Sequence, residues 1–181
     1  ADVKAFLQTA GRSPIAIRTL RSFVRHKIED RRWRAVVEVT EGLTLSTELT
    51  CHRAHGLLMI GETADAIPLL NRVWTVGKSQ IKACDPAFET WYRKSGPSDD
   101  VVWNRALKAA DARNSTLLRY LKRFASADLR PSLDDLGEIY RRPDRLTRKT
   151  RGSLLRQRDI AYTGVKRLAK VNPKRALDAM Q

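Results

Sequence analysis

The sequence predicts an all-α fold: an irregular α-solenoid or superhelix of about eleven short helices in stacked antiparallel pairs. Apolar residues recur at three- and four-residue spacing along most of the 181 residues, and no segment alternates with period two long enough to make a strand. Caps, prolines and glycines punctuate these stripes, so that helix–turn–helix units return roughly every 30–40 residues. The units share no strict repeat signature, and a compact bundle is the alternative. No low-complexity linker divides the chain, so residues 1–181 read as one superhelical domain.

Asp2 is placed to cap a first short helix carrying Val3, Phe6 and Leu7, closed by Gly11. Ser13-Pro14 is a cap followed by a proline at the first helical position, where a missing N–H costs nothing. Ile17, Leu20, Val24 and Ile28 form the inner stripe of that second helix. Trp33, Val36 and Val37 mark a third, ended by Gly42. Ser46 or Thr47 caps the fourth, whose inner face is Leu49, Cys51, Ala54, Leu57 and Leu58, and Gly61 ends it. Thr63 opens the fifth, with Ile67, Leu70 and Trp74 inward and Pro68 removing one hydrogen bond.

The stretch Trp74–Gly96 organises the chain. Gly77 suits a left-handed position after the fifth helix, and Asp85-Pro86 reads as cap and first helical residue of the next. Phe88, Trp91 and Tyr92 give that helix an aromatic face. Gly96-Pro97-Ser98 is a turn and cap before the stripe Val102, Trp103, Ala106, Leu107 and Ala110. Asn114 or Ser115 opens a helix with Leu117, Leu121 and Phe124. Weaker stripes follow: Leu133, Leu136 and Ile139, a short helix over Pro143–Lys149, and one over Leu154–Leu168. Asn172-Pro173 starts a last helix reaching Met180.

Lys plus Arg number 35 against 20 Asp plus Glu, a net charge of +15. Thirteen Lys/Arg and only three Asp fall within the last 41 residues. Such a balance makes nucleic acid the first partner to test and another anionic polymer the next, although a solvated basic face accounts for it too. Aromatic residues lie on apolar stripes rather than between basic ones, which weakens a base-stacking platform. No run of about twenty apolar residues is present, so no span is predicted. The opening ADVKAFLQTAG enters directly on an amphipathic turn and reads as an excised or mature beginning. Cys51 and Cys84 are the two cysteines. Bonded, they would close a loop of about 33 residues, worth roughly 3–4 kcal/mol; two buried thiols are the alternative.

Chemistry is sparse. His52 and His55 lie three apart on one helix, but no third ligand accompanies them, so no metal site is assigned. Gly77-Lys78-Ser79 imitates the end of a Walker loop without its earlier glycine or preceding strand. Asp134, Asp135 and Glu138 are the nearest acidic cluster, read as the first turn of a helix, where its dipole favours them. No cofactor motif and no catalytic residue emerge.

The run Trp74…Gly77-Lys78-Ser79-Gln80…Ala83-Cys84-Asp85…Phe88…Trp91…Gly96 resembles one in the soluble lytic murein transglycosylases of Gram-negative bacteria. The resemblance continues through Trp103, Arg105, Ala106, Ala110, Asn114 and Leu117, and includes Cys51 at its spacing from Cys84. Arg18-Thr19-Leu20, Phe23-Val24 and Trp33-Arg34 fit upstream, and Arg175-Ala176-Leu177 more loosely at the end. It implies part of a long U-shaped helical superhelix, which with a lysozyme-like domain in the same parent chain makes a ring. It further implies a periplasmic monomer acting on peptidoglycan glycan strands, cutting the MurNAc–GlcNAc bond with a 1,6-anhydro product. The family's catalytic Glu is followed by Ser. No Glu here is followed by Ser, so no catalytic residue carries over. The family's cysteine pair does, and implies a Cys51–Cys84 disulfide.

On this resemblance Arg148, Lys149, Arg151, Arg156 and Arg158 are candidate contacts to the carboxylates of the peptide stems. Their reach is about a Debye length, ~8–10 Å. The competing function is a free-standing basic α-solenoid that binds nucleic acid or an acidic protein.

Overall fold

A computed structural model describes residues 3–10, 13–146 and 149–178. Among them are eleven α-helices, three short 3-10 turns and no strand. The all-α expectation and the helix count both hold. The helices gather into two compact units, one from residues 1–74 and 80–96, the other from 75–79 and 97–181.

The first unit holds α1 (Val3–Ala10), α2 (Pro14–Glu29), α3 (Trp33–Thr40), α4 (Thr47–Met59), α5 (Thr63–Trp74) and α6 (Asp85–Lys94). Ser13 caps α2 by accepting from the Ala16 amide at 3.2 Å, with Pro14 in the first turn. Ser46 does the same for α4 through the Leu49 amide. Each hydroxyl satisfies one of the orphan donors that open a helix. α4 ends on Gly61 at φ +88, and the Glu62 amide reaches back to the Leu57 carbonyl at 2.9 Å. α4 packs against α2, α3, α5 and α6, so its Leu49, Cys51, Ala54, Leu57 and Leu58 are all buried. In α2 Leu20 and Val24 are buried as expected, but Ile17 is exposed and Ala16 takes the inner place. Phe6 on α1 is exposed as well. Asp2, Gly11 and the Leu7 side chain lie outside the described residues.

The second unit holds α7 (Asp99–Asp111), α8 (Ser115–Leu121), α9 (Arg130–Arg141), α10 (Leu154–Val171) and α11 (Pro173–Asp178). Ser98 caps α7, Asn114 caps α8 through the Leu117 amide at 3.0 Å, and Asn172 caps α11 through the Arg175 amide at 3.1 Å. α10 packs on α7, α9 and α11, burying Ile160 and Leu168. The short helix expected over Pro143–Lys149 is a 3-10 turn over Pro143–Arg145, and the following helix runs on to Val171. Met180 lies outside the described residues.

Three local readings need correction. Gly77 is not among the left-handed glycines. A Cβ there would meet the Lys108 carbonyl and come within 2.7 Å of the Ala112 Cβ, so Gly77 is a close-approach residue of the second unit. Asp85 is not a cap either: a 3-10 turn over Lys82–Cys84 runs directly into α6, and Asp85 is its first residue. Its carboxylate still lies in the first turn, where the helix dipole favours it. The acidic cluster sits in mid-helix, because α9 begins at Arg130 and has no acid in its first turn.

Candidate functional site

In the first unit Cys51 of α4 and Cys84 of the 3-10 turn are joined by a disulfide, with Cα atoms 4.9 Å apart and both residues fully buried. The cross-link ties the start of α6 to α4, around which that unit is built. In the same unit Trp74 and Trp91 meet edge to face with ring centres 5.9 Å apart. The buried Trp74 indole donates to the Tyr92 hydroxyl at 2.6 Å, which satisfies a polar group that burial would otherwise make costly. Gln80 donates its amide to the Val73 carbonyl and fixes the chain leaving α5.

The two histidines of α4 have structural surroundings. The His55 ring lies 4.7 Å from the Trp33 ring and its Nε2 is 3.4 Å from Thr90 Oγ1. His52 faces Glu48 at 4.0 Å. Burial pushes both imidazoles below their ordinary pKa, and for His55 the neighbouring His52 and Arg93 push the same way. No group of three or more His, Cys, Asp or Glu suited to a metal occurs among the described residues.

In the second unit the acidic cluster is a clasp. Asp135 is 5% exposed and accepts from the Arg151 amide at 2.6 Å and from its guanidinium at 2.6 to 3.2 Å. Ser132 donates to the Arg151 carbonyl at 3.1 Å. The segment before α10 is thereby held on α9. The Asp135 pairing raises the Arg151 pKa further, first through the hydrogen bonds and then through the charge. Glu138 pairs with Arg145 at 2.7 Å and Lys122 with Asp134. Glu138 lines a cleft with Arg141, Arg142 and Arg145, a cationic setting rather than the apolar one an acid catalyst requires.

The five nominated basic residues thus differ. Arg148 lies outside the described residues, Arg151 is held by Asp135, and Arg156 stands 3.9 Å from Asp100. Lys149 and Arg158 are exposed. Two buried polar features escaped the sequence reading. Trp103 donates to Asp159 at 2.7 Å across 56 residues, and the buried Arg105 donates to the Lys78 carbonyl at 3.3 Å.

The class these features define is an all-α protein whose helices pack on one another within each unit, the first unit cross-linked at one corner. Sequence and fold both match a segment of the soluble lytic murein transglycosylases. The Escherichia coli K12 protein of that name is 30% identical over 113 residues, which is 61% of this chain and 17% of the relative. The Salmonella typhimurium LT2 protein is 31% identical over 94 residues, 51% of this chain and 14% of its own length. Among solved structures, the 70-kDa soluble lytic transglycosylase of Escherichia coli matches with a TM-score of 0.73 at 22% identity, covering 96% of this chain and 28% of that one. An inactive variant of lytic transglycosylase Slt from Pseudomonas aeruginosa matches with a TM-score of 0.73 at 25% identity, covering 98% and 29%. The chain therefore spans about a sixth of the curated relatives it matches. A cucumovirus coat protein family model also matches, over residues 63–152.

Proposed function

We propose that this chain is a non-catalytic superhelical scaffold of a periplasmic lytic transglycosylase, an enzyme that cleaves the MurNAc–GlcNAc bond of peptidoglycan with a 1,6-anhydro product. On this reading residues 1–181 are one superhelical domain of a monomer. They help form the ring that positions the glycan for a lysozyme-like domain of the same parent chain, and need neither metal nor cofactor. The observation that carries the reading is the 30% identity to the Escherichia coli enzyme over 113 residues. The absence of any Glu-Ser pair supports a non-catalytic role, and no helix among the described residues is long and apolar enough to cross a membrane.

Lys149, Arg156 and Arg158, with Arg148, are the proposed contacts to stem carboxylates, and Arg151 holds the segment that leads into α10 through Asp135. Each exposed pair contributes about 0–1 kcal/mol, so retention needs several contacts along one strand. Incubation with purified murein sacculi tests both halves of the reading. The chain should pellet with sacculi at low salt and release no anhydro-muropeptides above a boiled control. Reversing Lys149, Arg156 and Arg158 to Glu should weaken the pull-down without loss of helix. Released product would overturn the non-catalytic role, and absent or unchanged pull-down the glycan contacts.

The concentration of charge in the last 41 residues favours a second reading, binding of nucleic acid or an acidic protein. Against it, Arg145, Arg151, Arg156 and Lys166 already face carboxylates. Phosphate contacts would show as a steep loss of DNA affinity with added salt.

A further inference from the structure

We propose that Arg113, Arg167 and Lys170 form a binding cleft for an oxyanion, a carboxylate or a phosphate group. They line, with Val171, a cleft of about 270 Å³ in the second unit, between the end of α7 and the last turns of α10. An adjoining hollow shares the same three cations and adds Asp111 and Lys166. Asp111 is the one acid among these lining residues, and it is bonded to Lys166 at 2.6 Å. The other three cations line one cleft, and none of them forms a salt bridge to a carboxylate among the described residues. Convergent like charges repel one another, and an oxyanion between them turns that repulsion into attraction.

The cleft is also organised in advance. The Arg167 guanidinium carbon lies 3.9 Å from the ring centre of the buried Tyr140, and its Nε is sequestered without a hydrogen-bond partner. Stacking fixes the plane of the guanidinium, the fork that carboxylates and phosphates match. Arg113 is set by a turn at φ +58, closed by the Asn114 amide on the Ala109 carbonyl at 2.8 Å. A cleft of this volume holds an oxyanion with part of its hydration, at roughly 30 Å³ per water. The same residues lie near the C-terminal ends of α7 and α10, where cations complement the helix dipole. That account requires no ligand, and the experiment separates the two.

The proposal does not depend on the scaffold reading. The isotopically labelled chain is titrated at pH 7.5 with inorganic phosphate, and separately with succinate, at ionic strength held constant by sodium chloride. Backbone amide and arginine Nε–H resonances are followed. The expected result is saturable shifts confined to Arg113, Arg167, Lys170 and their neighbours, with a dissociation constant in the millimolar range (~1–10 mM). Lys170→Gln, an exposed helical position that leaves folding intact, should weaken binding by roughly 2–5-fold, in line with the loss of one partly solvated charge. Arg119→Gln on α8 should leave it unchanged. Tighter binding of phosphate assigns the cleft to phosphate-bearing ligands, and equal or tighter binding of succinate to carboxylates. Shifts that do not saturate, that spread over all surface cations, or that persist unchanged in Lys170→Gln overturn the site.

Discussion

Breaking the Cys51–Cys84 bond is the perturbation whose size the structure fixes best. The two residues are 33 apart in sequence and both fully buried, so reduction leaves the folded packing in place and acts mainly on the unfolded chain. Chain entropy gives a stabilisation of about 3.7 kcal/mol for a loop of that length. With a denaturant slope of ~2 kcal/mol/M, the urea midpoint of the first unit should fall by roughly 2 M on reduction. Trp33, Trp74 and Trp91 belong to the first unit and Trp103 to the second, so tryptophan emission reports mainly the first unit. A Cys51→Ala/Cys84→Ala variant should match the reduced protein to within about 1 kcal/mol, the difference reflecting the lost sulfur contacts. Coincident oxidised and reduced curves would refute the reasoning. So would two reactive thiols titrated in denaturant without reductant, since the cross-link would then be absent.

Gly77→Ala should destabilise the second unit by about 1–3 kcal/mol, because the added methyl runs into the Lys108 carbonyl and Ala112; an unchanged melting temperature would refute the close approach. Asp159→Ala leaves the buried Trp103 indole N–H without its acceptor and should cost about 1–3 kcal/mol, read by urea denaturation and by a shift in tryptophan emission. His52 and His55 have lowered folded-state pKa values, so the unfolded chain takes up protons first as pH falls. Stability of the first unit should be flat above about pH 6.5 and decline as pH drops toward the folded values. A His52→Gln/His55→Gln variant should flatten that decline, and an equal slope in the variant would rule out these two groups as its cause.

The reach of the sequence follows the range of the interaction. Ser13, Ser46, Ser98 and Asn114 each satisfy an amide three residues ahead, so a cap is complete within one short segment and legible there. The stripes that bury Leu20 and Val24, Leu57 and Leu58, or Leu133 and Leu136 obey the helical period for the same reason. The cysteine pair was open on spacing alone and became an expectation only through family resemblance. Gly77 looked like a helix stop because glycine has two uses, and only the approach of Lys108 and Ala112, more than thirty residues on, selects the second. Asp135 looked like a dipole-favoured acid until Arg151 closed over it from sixteen residues away. Arg31 and Arg113 end turns in the left-handed region with no glycine to announce them. The cleft of Arg113, Arg167 and Lys170 has no sequence signature at all, since its members are drawn together only when α10 packs against α7. Local hydrogen bonds and periodic burial determined the helices and the fold class; which charges meet was decided by contacts between residues far apart in the chain, whose pairing no short segment encodes.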